Sequence, residues 1–478
     1  MAVTSLDLAR WQFGITTVYH FLFVPLTIGL AAWVALCQTR WYRSGDEKWR
    51  RATKFWGKLM LISFALGVVT GIVQEFQFGM NWSNYSRFVG DIFGAPLAME
   101  GLAAFFVEST FLGLWLFGWD RLSPKVHLAC IWAVSLSTAL SAFFILAANS
   151  WMQHPVGYEM VDGRPELTSI FAVLGNSTAL YAFAHTLLAA AITGSMMVIA
   201  ISAWHVLRGN ETDLFGASLR KAIPTLAVAA LVTVIVGHFN GILMTEQQPM
   251  KMAAADAVFD TKDHAGLSLF ATGDFKSNPE GLNRNIEIPN VLSYITTGYP
   301  NGEIKGINDL NAEYNQKYNP DFDPNDPEST SVDFAPVVAV AYWSWRAMLG
   351  VGFLAAALGF VGWWLIRRNK LEESRVYLKL MVFGAALPFI ANSFGWIFTE
   401  MGRQPWVVFG MLKTSDAGSP AVSTFEVLVT LIGFTLLYLV LAIIAGRIFL
   451  EKARKGPDPE IDPDDEEARR AAELAMAY

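Results

Sequence analysis

The chain has 478 residues, of which 53% are hydrophobic and 16% charged, against about 25% charged in an average soluble domain. Seventeen Trp and 34 Phe bring the aromatic share to 13%. Disordered chain, collagen-like fibre and small disulfide scaffold are excluded; the apolar blocks are too long for a soluble enzyme's core, and the uneven net charge of −7 calls for no nucleic-acid partner.

In chain order, residues 1–14 read as a short amphipathic piece lying at a membrane interface. No signal peptide is expected, because a basic cluster follows the first apolar run and none precedes it. A stretch of about 20 apolar residues crosses a bilayer. Nine such spans are predicted, at 15–37, 57–79, 94–118, 126–149, 178–207, 220–244, 336–366, 376–400 and 423–447. The fold class is therefore an all-α integral membrane protein built as a nine-helix bundle. Cys37 and Cys130 sit inside apolar runs and read as small buried hydrophobes.

The connecting loops alternate in charge. Those after spans one, three, five and seven carry Arg40, Arg43, Lys48, Arg50, Arg51 and Lys54, then Arg121 and Lys125, then Arg208, Arg220 and Lys221, then Arg367, Arg368, Lys370 and Arg375. The positive-inside rule then puts the N-terminus outside and the C-terminus inside. One loop, residues 245–335, is long, polar and external by this alternation, and a loop of that length is usually functional. The chain divides into helices one to six (1–244), this loop (245–335), helices seven to nine (336–447) and a charged cytoplasmic tail (448–478).

Ionisable groups are costly inside a membrane, so each is a functional hypothesis. His20, Glu75, Glu100, Glu108, His185, His238, Arg346 and Glu400 qualify, with Met348 as a soft ligand. At a rise of about 1.5 Å per residue, His20 and Glu100 lie roughly 8 Å below the outer surface and Glu108 about 12 Å deeper. His185, Met348 and Glu400 fall in the outer half. One layer of His, Glu and Met suits redox cofactors better than an ion path, and His plus Met is an axial pair for low-spin haem. Plainer readings compete. A lone membrane His serves helix–helix hydrogen bonding as often as ligation. His127 and His205, near inner helix ends, read as snorkelling groups, and His264 as a loop residue. Most of the 16 Met are core filler, and Gly67–Gly71 is a packing motif first. Glu100 and Glu108, without a basic partner on their own helix, read as a proton relay.

The segment GWIFTEMGRQPW at 395–406 is specific, and it is joined by WSWRAM (343–348), GAPLAMEG (94–101), AHT (184–186) and QQPMKMAA (247–254). With these motifs the chain resembles subunit I of the cytochrome bd-type quinol oxidases along essentially its whole length. The resemblance implies two haem b, one low-spin and one high-spin, and one haem d. It implies His185 and Met348 as axial ligands of the low-spin haem b, His20 as ligand of a high-spin haem (haem d is favoured), and Glu400 as ligand of the high-spin haem b. Ligand type alone permits the last two haems to be exchanged. Glu100 matches a carboxylate near the His20 haem's other face and a possible iron ligand, and Glu108 the deeper member of a proton route. Arg346, Trp396 and Arg403 resemble groups around the haems, with Glu75 a weaker candidate. Lys251 matches a position tied to quinol binding; Asp256 stands where relatives often carry Glu.

By the same resemblance, quinol is oxidised at the outer face, O2 is reduced to water at the high-spin pair, and protons come from the cytoplasm, so that a proton motive force forms without pumping. A second large membrane subunit, a small single-helix subunit and the bacterial cytoplasmic membrane complete the expected setting. A secondary transporter lacks support, since no internal repeat is found. A haem anchor that only relays electrons needs low-spin pairs throughout, and a structural subunit does not need so many ionisable groups at one depth.

Overall fold

A computed structural model describes residues 3–276, 281–326 and 329–458. Among these residues nine helices are long and apolar enough to cross a membrane: Ser5–Ser44, Glu47–Met80, Ser83–Phe117, Pro124–Gln153, Ser177–Leu207, Thr212–Gln247, Val338–Arg367, Arg375–Met401 and Thr424–Lys455. They are called spans one to nine below. Each expected apolar run lies within or overlaps one of them. The last part of the expected tail, 459–478, lies outside the described residues.

Span one begins earlier than its apolar run. Thr4 and Asp7 form a reciprocal capping box that starts the helix at Ser5. Residues 5–14 are thus the first turns of a continuous helix and not a separate interfacial piece. Gln12, fully buried there, donates to Gln77 of span two (2.8 Å) and accepts from Thr430 of span nine (2.9 Å). Partners on two neighbouring helices satisfy a polar side chain that the interface reading had left to water.

Span one is the axis of the bundle and packs against spans two, four, five, eight and nine. It meets span five backbone to backbone: a Cβ on Gly194 would come within 2.6 Å of the Gly29 carbonyl carbon. Small residues permit this close crossing, and it sets the helix carrying His20 against the helix carrying His185. Cys37 and Cys130 are free and buried, as expected.

The two ends of the bundle differ. At one end basic residues near the helix ends pair with acids of other segments: Lys48 with Asp213 (3.1 Å), Arg51 with Glu211 (2.5 Å), Lys58 with Asp458 (2.5 Å) and Arg220 with Glu372 (3.0 Å). Such exposed pairs contribute little energy, but they show which segments share this end. The other end carries residues 245–335, folded as helix Pro249–Ala255, the antiparallel hairpin Leu267–Gly273 and Leu282–Ile288, and helices Val291–Thr297 and Ile307–Tyr318. Met250, Ala271, Leu310, Tyr314 and Phe334 of the loop share one buried core with Tyr342 and Trp345 of span seven, Phe398 of span eight, and Trp406.

Two histidines do not snorkel. His127, 2% exposed, sits between the Gln38 side chain and the Trp115 carbonyl, both at 2.8 Å. His205, 1% exposed, stacks on Phe215 and reaches the Ala453 carbonyl at 2.8 Å. Packing partners from other helices make them structural.

Candidate functional site

The candidate residues fall into neighbouring groups, most of them toward the loop end. The first surrounds Lys251. A turn after Gln248 starts the short helix Pro249–Ala255, which carries Lys251 inward until it is 3% exposed. Its ammonium donates to the Gln153 side chain at the end of span four (2.9 Å). Gln153 in turn holds Asn149 (2.8 Å), which donates to Glu400 (3.0 Å), whose other oxygen pairs with Arg403. One connected polar cluster thus joins the expected quinol residue to the expected haem residues. Burial, reinforced by the Arg403 charge and opposed by Glu400, pushes the Lys251 pKa down to about 7.

The second group surrounds Asp256, which is fully buried. Its carboxylate is paired with Arg346 of span seven and, at 3.5 Å, with Arg284 of the hairpin. Arg346 also donates to the Ser268 carbonyl (2.6 and 2.9 Å) and to the Ala255 carbonyl, and lies 3.6 Å over the Tyr342 ring. It ties span seven to both the short helix and the hairpin. A buried charge is tolerated only when paired in this way.

The third group lies deeper, between spans three and four. The segment Glu100–Phe105 is π-helical. Eight residues of regular α-helix would turn Glu108 roughly 80° away from Glu100. The wider π-turn changes that angle, and both carboxylates meet span four: Ser141 donates to Glu100 and Thr138 to Glu108, each at 2.7 Å. Glu75 on span two is within electrostatic reach of Glu100.

Three of the expected iron ligands, His20, His185 and Met348, each abut a helix glycine. A Cβ on Gly71 would stand 3.2 Å from His20 Cε1, one on Gly237 3.6 Å from His185 Cε1, and one on Gly395 2.9 Å from Met348 Sδ. Among the described residues His185 Nδ1 is buried without a partner, and so are Nε and Nη1 of Arg403 and the indole nitrogens of Trp345, Trp396 and Trp406. Buried polar atoms are nearly always paired, so the two unpaired N–H groups of Arg403, beside the expected ligand Glu400, fit an additional anionic group. Haem meets that requirement, with propionates for the donors and an iron for the His and Met. Among the described residues no three His, Cys, Asp or Glu converge as a metal-ion site. A porphyrin brings its own equatorial ligands and needs only one or two from the protein. Trp396 stacks on Phe21, next to His20, at 5.2 Å.

Sequence reasoning did not single out Asn149, Gln153, Arg284, Thr138, Ser141 or Thr70. The only signal was the i, i+4 spacing of Asn149 and Gln153 at a span end. His238, left open in the sequence, stacks on Tyr294 of the loop (5.3 Å).

Comparison with known proteins bears out the resemblance drawn from the motifs. Residues 8–457 match the family described as cytochrome bd terminal oxidase subunit I. Cytochrome bd ubiquinol oxidase subunit 1 of Bacillus subtilis (strain 168) is 44% identical, with 95% of each chain covered. Cytochrome bd-II ubiquinol oxidase subunit 1 of Escherichia coli (strain K12) is 36% identical over 95% of this chain and 97% of its own. The bd oxidase structure from Geobacillus thermodenitrificans superposes with a TM-score of 0.85 at 28% identity, over 95% of this chain and 99% of that one. With its membrane-capable helices and full-length likeness to these oxidases, the chain is a multi-pass bacterial membrane protein and a quinol oxidase subunit, a member of the cytochrome bd terminal oxidase subunit I family.

Proposed function

We propose that the chain oxidises quinol at its loop end, that this end faces outward, and that oxygen is reduced to water with protons drawn from the opposite, cytoplasmic end. What supports the reading is the continuous polar cluster from Lys251 through Gln153 and Asn149 to Glu400 and Arg403. It links Lys251, the cation proposed here to bind quinol, with Arg403, whose unpaired donors suit haem carboxylates.

His185 and Met348 would hold a low-spin haem b; His20 and Glu400 would hold the high-spin haem d and haem b. When bound, the haems supply one-electron redox chemistry and, at an iron with one protein ligand, a position open to oxygen. Arg403 and Trp396 offer their free N–H groups to the carboxylates around them. Lys251 holds a quinol oxygen by a charged hydrogen bond, and Asp256 accepts a hydroxyl proton while the adjoining guanidinium groups balance its charge. Glu108 and then Glu100 pass protons from the cytoplasmic end toward the oxygen site along spans three and four. Protons released at one end and taken up at the other separate charge without a pump. A second large membrane subunit and a small single-helix subunit complete the assembly.

The test is a visible spectrum of the purified complex, reduced and then exposed to carbon monoxide. A carbon monoxide shift is expected. A haem spectrum without the shift makes the chain an electron-relaying anchor, and a colourless preparation ends the haem reading.

Two variants probe the roles. Glu108→Gln keeps the Thr138 contact but carries no transferable proton. It is expected to slow oxygen consumption on the order of 10²-fold, with quinol KM within about twofold of wild type; unchanged turnover removes Glu108 from the route. Lys251 is cationic below pH 7 and loses its proton as the pH rises through about 7. A charged hydrogen bond exceeds a neutral one by about 1 kcal/mol, so quinol KM should rise about fivefold between pH 6 and pH 8.5. Lys251→Met should give a high KM that no longer varies over that interval.

A further inference from the structure

The histidines sort by what their ring nitrogens do. In His127 both nitrogens are used, and in His205 one is given to a carbonyl. His20 has a hydroxyl as its partner: its Nδ1 lies 2.9 Å from Thr70 Oγ1, while no protein partner is found for Nε2 among the described residues. Thr70 is fully buried on span two. Its oxygen also lies 2.7 Å from the Leu66 carbonyl and 3.2 Å from the Gly67 carbonyl of its own helix.

A threonine hydroxyl has one proton and two lone pairs, and a carbonyl can only accept. The proton is therefore drawn to Leu66, which leaves a lone pair facing the imidazole. The Nδ1···O contact is then satisfied only if Nδ1 carries the hydrogen. A neutral imidazole with hydrogen on Nδ1 has its lone pair on Nε2. The next residue, Gly71, leaves room for the ring edge, since a Cβ there would crowd Cε1 at 3.2 Å. The seam between spans one and two is pinned on both sides of this contact, by Gln74 to Thr17 (2.6 Å) and Gln77 to Gln12 (2.8 Å), and by Thr27 with Ser63 (2.8 Å). Tyr438 of span nine reaches the Thr70 carbonyl at 3.4 Å and closes the third side.

We propose that Thr70 is a positioning residue for the oxygen-reducing site: its hydroxyl oxygen accepts Nδ1–H of His20, selects the tautomer and presents Nε2 as the iron-binding atom. This rests on His20 being an iron ligand. A partner that accepts from the far nitrogen of a ligating His orients the ring and raises its basicity, and its loss typically costs 10–100-fold in metal affinity or activity.

The test uses the whole oxidase complex, carrying Thr70→Val, Thr70→Ala, Thr70→Ser or His20→Ala. The readouts are the iron–histidine stretching band of the reduced high-spin haem and that haem's midpoint potential. Valine keeps the branched shape and removes the acceptor. It is expected to lower the band and weaken ferric relative to ferrous binding about tenfold, a positive shift of about 59 mV for one electron. Serine is expected to restore both values. If the valine variant does not assemble, the alanine and serine variants decide, since both lose the methyl and only serine keeps the oxygen. Wild-type band and potential in the variants without the hydroxyl, with the band lost in His20→Ala, overturn the role of Thr70 and leave His20 as ligand. A band that survives His20→Ala overturns the ligand reading and the proposal with it.

Discussion

Met348→Leu is expected to remove the low-spin haem signal from the reduced-minus-oxidised spectrum, leave the high-spin signals in place, and cut quinol oxidation on the order of 10–100-fold. Leucine has nearly the volume of methionine, and such exchanges usually cost below about 1.5 kcal/mol of stability. The fold is kept, and only the sulfur is lost. That sulfur faces Gly395 of span eight so closely that a Cβ there would stand 2.9 Å from it. An unchanged low-spin band in the variant means that another side chain opposes His185.

Arg346→Leu is expected to have the largest effect on the quinol end. The guanidinium holds two loop carbonyls and the buried carboxylate of Asp256, leaving only Arg284, at 3.5 Å, as an alternative counter-charge. Removing one partner of a buried pair costs about 3–5 kcal/mol, because the other charge stays buried and uncompensated. Loosening of residues 257–276 should appear as faster limited proteolysis and a lower Tm. Arg346→Leu combined with Asp256→Asn should recover a large part of the loss, since no bare charge then remains inside. Equal Tm values for the single and double variants rule out this coupling.

How much of this was legible in the sequence follows from what kind of information each feature carries. The nine spans were readable because bilayer crossing is written in local composition, and the described helices overlap every expected run. The family was readable because Glu400, Arg403, Met348 and Lys251 of this chain sit inside short motifs that can be matched locally. Partners from distant segments were not. Whether His127 snorkels or is caged depends on Gln38, which lies 89 residues away. The burial of Asp256 leaves no local sign, since its partner Arg346 comes from span seven. The π-helical turn after Glu100 has no periodic signature, so depth estimated along a straight helix could place Glu100 and Glu108 by height but not by the direction they face. Residues 5–14 looked interfacial because the partners of Gln12 lie on spans two and nine, which no local window contains.

The shared core beneath the loop also constrains how the protein is made. Met250, Ala271, Leu310 and Tyr314 leave the ribosome before Tyr342, Trp345, Phe398 and Trp406, the side chains that complete their packing. At about 5–20 residues per second, the segment waits several seconds with its apolar side uncovered. The loop's maturation is therefore tied to insertion of the later helices. Grafted elsewhere without them, it keeps only the small cluster of Val258, Ala265, Leu292 and Ile304 as an interior.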